Sequence, residues 1–243
     1  MKHSIAAIFA SLVIIGCSQK ESGKNLHITG NVKGLKKGTL YIQKIVDTSL
    51  VAIDTIKIDG DSHFSAEFDI KSPEMYYLFL DRGVTNSLDN NLAFFAEAGT
   101  INIETSLEHF MSDSKITGSK NQEKYDEFKK VVSRFNNQSL NLVEAKFRAF
   151  KANNIKTIDS INAVESQIIK RRYLYTTNFA LNNKDFEVSP YVALTEIPDI
   201  NLKYIDTIQK SMPKKVAESM YGKKLIAFYN ERKKQETASS SDY

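Results

Sequence analysis

Few side chains in this sequence combine a reactive type with a spacing that chemistry could use. The single cysteine, Cys17, excludes a Cys-x-x-Cys redox pair, a disulfide framework and a cysteine-rich zinc site. His27, His63 and His109 fall in or near predicted strands without a second histidine at i+4, so we expect ordinary histidines instead of metal ligands. No Gly-x-Ser-x-Gly nucleophile elbow occurs. We therefore expect no catalytic residues, no metal site and no cofactor, and hence a protein that is not an enzyme.

Carboxylates and basic runs supply the remaining candidates. Aspartates collect near predicted turns, where Asp is favoured for its own backbone hydrogen bonds: Asp47, Asp54, Asp59 and Asp61. The Asp59–Asp61 turn lacks the ordered ligand spacing of an EF-hand loop. Lys170-Arg171-Arg172 is too short for a nucleic-acid stripe, and Gly222-Lys223-Lys224 lacks the rest of a P-loop. We expect no nucleic-acid partner.

The residue with the clearest chemical context is Cys17. Lys2 precedes an apolar stretch, Ile5 to Ile15, which is too short to span a bilayer and fits the apolar region of a signal peptide. Ile14-Ile15-Gly16-Cys17, followed by polar residues, resembles the lipobox of bacterial lipoproteins. An ordinary signal peptide with a stray cysteine is the alternative.

The lipobox resemblance implies cleavage before Cys17 and acylation of that residue, with several acyl chains holding the protein on a membrane. Residues 1–16 would then be the lipoprotein signal peptide and 17–24 the lipidated tether. No aspartate follows Cys17, which favours the outer membrane by the enterobacterial sorting pattern, and we expect a periplasm-facing protein.

The chain after the tether divides into two parts that differ in the spacing of their apolar residues. From Asn25 to Thr105 apolar residues alternate with polar ones, and turn signals such as Asp59-Gly60-Asp61 and Ser72-Pro73 separate the runs. About seven short strands without intervening helices indicate an antiparallel β-sandwich or a partial barrel. The other turn signals are Gly34, Gly38 and Ala98-Gly99.

After Gly118 the apolar spacing becomes helical. Steps of three and four residues predict a packed helix face at Tyr125, Phe128, Val132 and Phe135, continued at Val143, Phe147 and Phe150. Further helices are predicted over 158–179, 190–197, 201–212 and 213–234. The fold class is therefore α+β, with a β-rich domain at 25–118, a helical domain at 119–234 and a disordered tail at 235–243.

The net charge changes sign between the β-rich part and the helical part. Residues 17–114 carry 9 Lys and Arg against 14 Asp and Glu, a net charge of −5, whereas residues 115–243 carry 23 against 15, a net charge of +8. The basic helical part could approach anionic lipid or an acidic partner. A solvated helix surface is the alternative, and we favour it.

The order of motifs resembles a domain of unknown function found in lipoproteins of Bacteroidota. The β part carries the resemblance in Ile28-Thr29-Gly30-Asn31-Val32-Lys33-Gly34-Leu35, Gly38–Ile42, Asp54-Thr55-Ile56, Phe64, Phe94–Ile101 and Ile116–Ser119. The helical part carries it in Phe186–Leu194 and Val216–Leu225, which are similar to the helices that follow this domain in those lipoproteins. In such thiol–disulfide oxidoreductases (AhpC/TSA-like) the helices lead into a thioredoxin domain.

The resemblance implies a redox role that one cysteine cannot support, because dithiol exchange needs an attacking and a resolving thiol. We expect the thioredoxin domain to be absent here. The leading hypothesis is therefore a non-catalytic binding or scaffold module on the membrane, with an envelope protein as partner. Two alternatives stay open: a substrate-binding accessory acting in trans with a thioredoxin-like lipoprotein, and a carbohydrate- or peptide-binding lipoprotein. The ligand-binding residues are not identifiable from the sequence.

Overall fold

The computed structural model describes residues 23–83 and 88–241. Eight strands come first, with a short 3-10 helix, Leu88–Asn90, before the sixth; six helices follow them. The strands are β1 Leu26–Lys33, β2 Lys37–Val46, β3 Ser49–Asp59, β4 His63–Phe68, β5 Glu74–Asp81, β6 Asn91–Ala96, β7 Gly99–Ser106 and β8 Lys115–Thr117. The helices are α1 Lys120–Lys151, α2 Ile155–Asn182, α3 Val188–Glu196, α4 Leu202–Ser211, α5 Lys214–Ala217 and α6 Met220–Ser241. The predicted α+β class is confirmed.

The strands form two four-stranded sheets, ordered β4-β1-β7-β8 and β3-β2-β5-β6. Alternating side chains of both sheets face each other and form a sandwich core, of which Leu26, Ile28, Leu40 and Ile103 are fully buried members. One pair departs from the predicted antiparallel pattern, because β1 and β7 run parallel with Leu26 opposite Gly99. Apolar alternation gives the inward face of a strand but not its direction, so the sequence does not reveal this pair.

A second apolar core joins the sheets to the helices. Met75 of β5 and Phe95 of β6 point away from the sandwich interior and pack with side chains of the helices such as Phe128, Val192 and Leu225. The helical part therefore rests on the outer face of the β3-β2-β5-β6 sheet. This packing fixes the start of α1 at the sandwich and lets its far end project.

Helix boundaries differ from prediction at the end of the chain. The sequence predicts one helix from Pro213 to Lys234, whereas the structure has α5 and α6 separated at Glu218 and Ser219. The Ser219 hydroxyl donates to the Val216 carbonyl and accepts from the Gly222 N–H, so it closes one helix and caps the next. Helix α6 then continues to Ser241, where the sequence predicts a disordered tail from 235. Residues 242 and 243 lie outside the described residues.

Candidate functional site

The chemistry-bearing residues singled out in the sequence lie apart from one another. Cys17, with the predicted signal peptide and most of the tether, is outside the described residues. Each of the three histidines pairs with one carboxylate: His27 Nδ1 lies 3.2 Å from a Glu67 oxygen, His63 Nδ1 2.7 Å from Asp61 and His109 Nδ1 3.7 Å from Asp113. Within residues 23–83 and 88–241 no group of three or more His, Cys, Asp or Glu could hold a metal ion.

Of the candidate aspartates, Asp47 and Asp61 lie in turns, whereas Asp54 lies inside β3 and Asp59 ends that strand, so the prediction of a turn at Asp54 was wrong. Asp61 accepts the His63 N–H at 3.0 Å, and this backbone hydrogen bond, with the imidazole beside it, lowers the pKa of the Asp61 carboxyl. The Asp54 carboxylate accepts the Thr55 N–H, and Asp47 takes a left-handed conformation between β2 and β3.

The two basic runs named in the sequence analysis also contain residues that stabilise the fold. Arg172 of the Lys170-Arg171-Arg172 run donates to Glu196 of α3 at 2.5 Å. In Gly222-Lys223-Lys224, a side chain at Gly222 would meet the Val216 carbonyl at 2.0 Å, so close helix packing requires this glycine.

Two glycines of the β motifs are required by close backbone packing. A Cβ at Gly30 would lie 2.4 Å from the Ile103 carbonyl oxygen, and one at Gly118 would lie 1.9 Å from the Thr100 oxygen. Gly118 moreover has φ +97, in the region that favours glycine. By contrast Gly38, predicted as a turn, lies inside β2.

Where the sandwich meets the helices, three tyrosine rings pack around one phenylalanine ring. Phe95 of β6 is fully buried, with the rings of Tyr125, Tyr191 and Tyr221 centred 5.6, 5.2 and 6.3 Å away. These three tyrosines and Phe95 form the tyrosine cluster. The Tyr221 hydroxyl accepts the Met75 N–H at 3.0 Å, and burial raises the pKa of all three phenols. The cluster joins the sandwich to the helices through β6, α1, α3 and α6.

A polar network lies beside the cluster. The Glu97 carboxylate accepts the N–H of Lys120 at 2.6 Å and the Asn121 side-chain amide at 2.6 Å, so it caps the start of α1. The same Asn121 amide donates to Glu187 at 3.1 Å, while its oxygen accepts the Val188 N–H. Asn121 and Glu187 are each only 2% exposed, so the network holds the starts of α1 and α3 against the β6–β7 turn.

Sequence reasoning predicted Tyr125 on the packed face of α1, which the structure confirms, but it did not identify the polar residues of the joint. The signal that could have located part of them is Ser119-x-x-Gln122 ahead of an apolar period, which is a capping-box pattern. In the structure the Ser119 hydroxyl caps the Gln122 N–H as that pattern predicts. The Gln122 side chain instead accepts the Phe95 N–H at 2.8 Å and thereby closes the edge of the β3-β2-β5-β6 sheet.

An open cleft of about 440 Å³ borders the polar network. It lies between the β4–β5 connection, the β6–β7 turn and the starts of α1 and α3, and its charged lining is balanced between Lys71, Lys120 and Lys215 and the acids Glu97, Asp185 and Glu187. This cleft could admit a small polar molecule, but its balanced charge selects no ligand class.

The largest departure from the sequence prediction is in the hairpin formed by α1 and α2. Leu140, Val143, Phe147 and Phe150 are 67, 58, 58 and 71% exposed. We call these four residues the apolar stripe. The prediction that Val143, Phe147 and Phe150 continue a packed helix face was wrong, because periodicity shows where a helix is apolar and not whether the chain supplies a partner.

The packed face of α1 lies elsewhere on the helix. In the outer half of α1, Phe135 and Leu142 are partly buried and Ala149 is buried, and on α2 Ile161 and Ile168 are buried. These residues repeat every seven and form the seam of the hairpin. At 3.6 residues per turn the apolar stripe lies roughly a third of a turn from this seam. Helix α1 thus carries two apolar faces, and only one of them contacts α2.

The second face borders a groove along the hairpin. In the inner half of the hairpin α3 fills this groove: it contacts both α1 and α2, and its Tyr191 ring lies 5.6 Å from the Tyr125 ring of α1. In the outer half, helix geometry places exposed Ile155 and Ile169 of α2 on the same side as the apolar stripe. We call this outer half the distal groove. No described residue covers its apolar stripe, so its arrangement suits the docking of another molecule.

Taken together, the fold is that of an α+β protein in which a two-sheet β-sandwich carries a projecting helical hairpin. Residues 26–125 match the family model described as Domain of unknown function (DUF4369). The match spans all eight strands and the first turn and a half of α1, and it confirms the resemblance of the β part to a domain of unknown function. The search of curated proteins found no match. Among the described residues, no helix has the length and apolar character needed to cross a bilayer.

Proposed function

We propose that this protein is a membrane-anchored envelope lipoprotein that acts as a non-catalytic binding or scaffold module, and that the distal groove docks a protein partner. The exposed apolar stripe carries this proposal. A Phe side chain offers about 150–250 Å² of surface, so the stripe together with Ile155 exposes roughly 500–600 Å² of apolar area. That area equals the largest patch on an ordinary monomer, and such patches mark interaction sites.

The position of the stripe supports a scaffold. The hairpin is fixed at its base by the tyrosine cluster and the polar network around Asn121. Helix α1 has 32 residues and is therefore about 48 Å long. Its outer half presents the apolar stripe away from the sandwich, where a partner can reach it.

The lipid anchor is supported by the sequence around Cys17, where the only cysteine of the chain follows Ile14-Ile15-Gly16. Acylation would place the sandwich within about 30 Å of the membrane, since Asn25 is eight residue steps from Cys17 and each step spans at most about 3.6 Å. Metabolic labelling with an alkyne palmitate tests this step. The wild-type chain incorporates the label and Cys17→Ala does not; equal labelling of both contradicts the anchor.

Capture from crosslinked envelopes tests the docking role. A C-terminally tagged chain is recovered beside the double variant Phe147→Ser/Phe150→Ser and a control, Asn137→Ser/Asn141→Ser, which changes exposed residues away from the apolar stripe. We expect wild type and control to retain the same envelope protein and the stripe variant to lose it. A partner that is a thioredoxin-like lipoprotein would assign the in-trans redox role, and an outer-membrane assembly would assign scaffolding. Recovery that is unchanged by the stripe variant contradicts the proposal.

A further inference from the structure

We propose that the partner contributes an amphipathic α-helix with acidic flanks, which lies in the distal groove as α3 lies in its inner half. This inference rests on the proposed function and specifies what the groove accepts. It replaces a generic partner by one of stated shape and charge.

Helix α3 shows what the groove accepts. Its buried residues Val188, Val192 and Ala193 belong to the apolar cluster that includes Phe128 of α1 and Phe179 of α2. At its end, the Glu196 carboxylate accepts a hydrogen bond from Arg172 of α2. An occupant of the same groove therefore combines a small apolar face with an acid that meets a hairpin cation.

The spacing of the apolar stripe matches a helix. Leu140, Val143, Phe147 and Phe150 follow one another by three, four and three residues, which is the interval of a heptad seam. The stripe covers ten residue steps, or about 15 Å of helix. A partner helix of three turns would cover it, and its side chains would pack between α1 and the Ile155 side of α2.

The charge around the outer end of the hairpin selects acidic flanks. Residues 144–159, which include the hairpin turn, carry the four cations Lys146, Arg148, Lys151 and Lys156 against the two acids Glu144 and Asp159, a net charge of +2. Lys146 is paired with Glu165 of α2 and Arg148 with Glu144. Among the described residues, Lys151 and Lys156 have no salt-bridge partner, and Lys151 Nζ lies 4.5 Å from the Phe147 ring centroid at the edge of the apolar stripe. A second copy of this chain would bring the same cations together, so self-association is disfavoured. A partner helix with acidic flanks would be attracted to these cations and would bury the apolar stripe.

Two synthetic helical peptides of about 20 residues test the inference, since that length allows a stable helix on binding. Both carry leucine at the a and d positions; one has glutamate and the other lysine at e and g. Fluorescence anisotropy measures their binding to the full chain in phosphatidylcholine nanodiscs. We expect the acidic peptide to bind about tenfold more tightly, because exposed ion pairs each contribute a few-fold.

Variants identify the surface that is used. Lys151→Glu/Lys156→Glu should reverse the preference to the basic peptide, and Phe147→Ser/Phe150→Ser should weaken both peptides. The Asn137→Ser/Asn141→Ser control should bind like wild type. A far-ultraviolet circular dichroism spectrum identical to wild type shows that each variant is folded.

Other outcomes overturn the inference. Equal binding of the two peptides would contradict the inference that the partner helix has acidic flanks. Absence of binding would contradict the inference that the occupant is a helix. Stripe-dependent binding to nanodiscs that contain phosphatidylglycerol, without peptide binding, assigns the groove to an anionic lipid surface instead. Should the envelope capture depend on the apolar stripe while the acidic peptide fails to bind, the proposed function stands and only the helical, acidic occupant is rejected.

Discussion

Two phenylalanines of α1 that look equivalent in the sequence should differ sharply in what they contribute to stability. Phe128 is 1% exposed and Phe150 is 71% exposed, although both fall on apolar steps of the same helix. We therefore expect Phe128→Ala to destabilise the protein strongly and Phe150→Ala to change its stability little.

The magnitudes follow from the surroundings. The Phe128 ring packs against Phe179 at 4.9 Å and Tyr175 at 5.8 Å between ring centroids, and removal of such a buried ring costs about 3–5 kcal/mol. Phe150 has less than a third of its surface buried, which at 25 cal/mol per Å² gives at most about 1.5 kcal/mol. Alanine is also a better helix former than phenylalanine, so the net cost at Phe150 is about 1 kcal/mol or less.

Urea denaturation of the full chain in a non-ionic detergent, followed by circular dichroism, measures the difference. With a denaturant slope of about 2 kcal/mol per M, the midpoint should fall by roughly 1.5–2.5 M for Phe128→Ala and by less than about 0.5 M for Phe150→Ala. A loss at Phe150 equal to that at Phe128 would mean that the distal groove is filled from within the protein. That result would refute the reasoning about an open docking surface.

Three further predictions concern the joint and the sandwich. Tyr221→Phe removes the hydroxyl that accepts the Met75 N–H, and should lower the free energy of unfolding by about 1–3 kcal/mol in the same urea assay, whereas an unchanged midpoint would show that water replaces the bond. Gly118→Ala forces a Cβ to 1.9 Å from the Thr100 carbonyl at φ +97, so a thermal melt should show a loss of several degrees or more; a wild-type Tm contradicts this close approach. Burial, with Glu74 nearby, raises the pKa of Tyr76 to about 12. The contribution of the neutral phenol to the free energy of unfolding is therefore fully present below pH 10 and decreases by about 3 kcal/mol between pH 10 and 12. Phenolate absorbance at 295 nm that develops fully at pH 10, before the protein unfolds, would contradict this prediction.

The strands and helices are largely predictable because their causes are local. Alternation at Leu26 and Ile28 defines an inward strand face, and Ser119 caps α1 in the structure as its pattern indicates. Gly30 belongs to a motif of the β part, but the physical reason for a glycine at this position is not visible in the sequence. Gly30 is required by the approach of Ile103, which lies 73 residues away.

The candidate site depends on contacts that one sequence does not encode. The tyrosine cluster brings together residues of β6, α1, α3 and α6, and the polar network joins Glu97 to Asn121 and Glu187. Val143, Phe147 and Phe150 of the apolar stripe are predictable as an apolar helix face, yet their exposure follows from α3 ending at Glu196, before the outer half of the hairpin. Periodicity contains no information about where such a covering helix stops.

Photo-crosslinking in living cells tests the docking surface most directly. The photoreactive residue p-benzoylphenylalanine replaces Phe150 in one variant and, as a control on another side of α1, the exposed Asn141 in a second. We predict a covalent adduct with an envelope protein at position 150 and none at position 141. Adducts of equal yield at both positions, or none at position 150, would contradict the conclusion that the distal groove docks a protein partner.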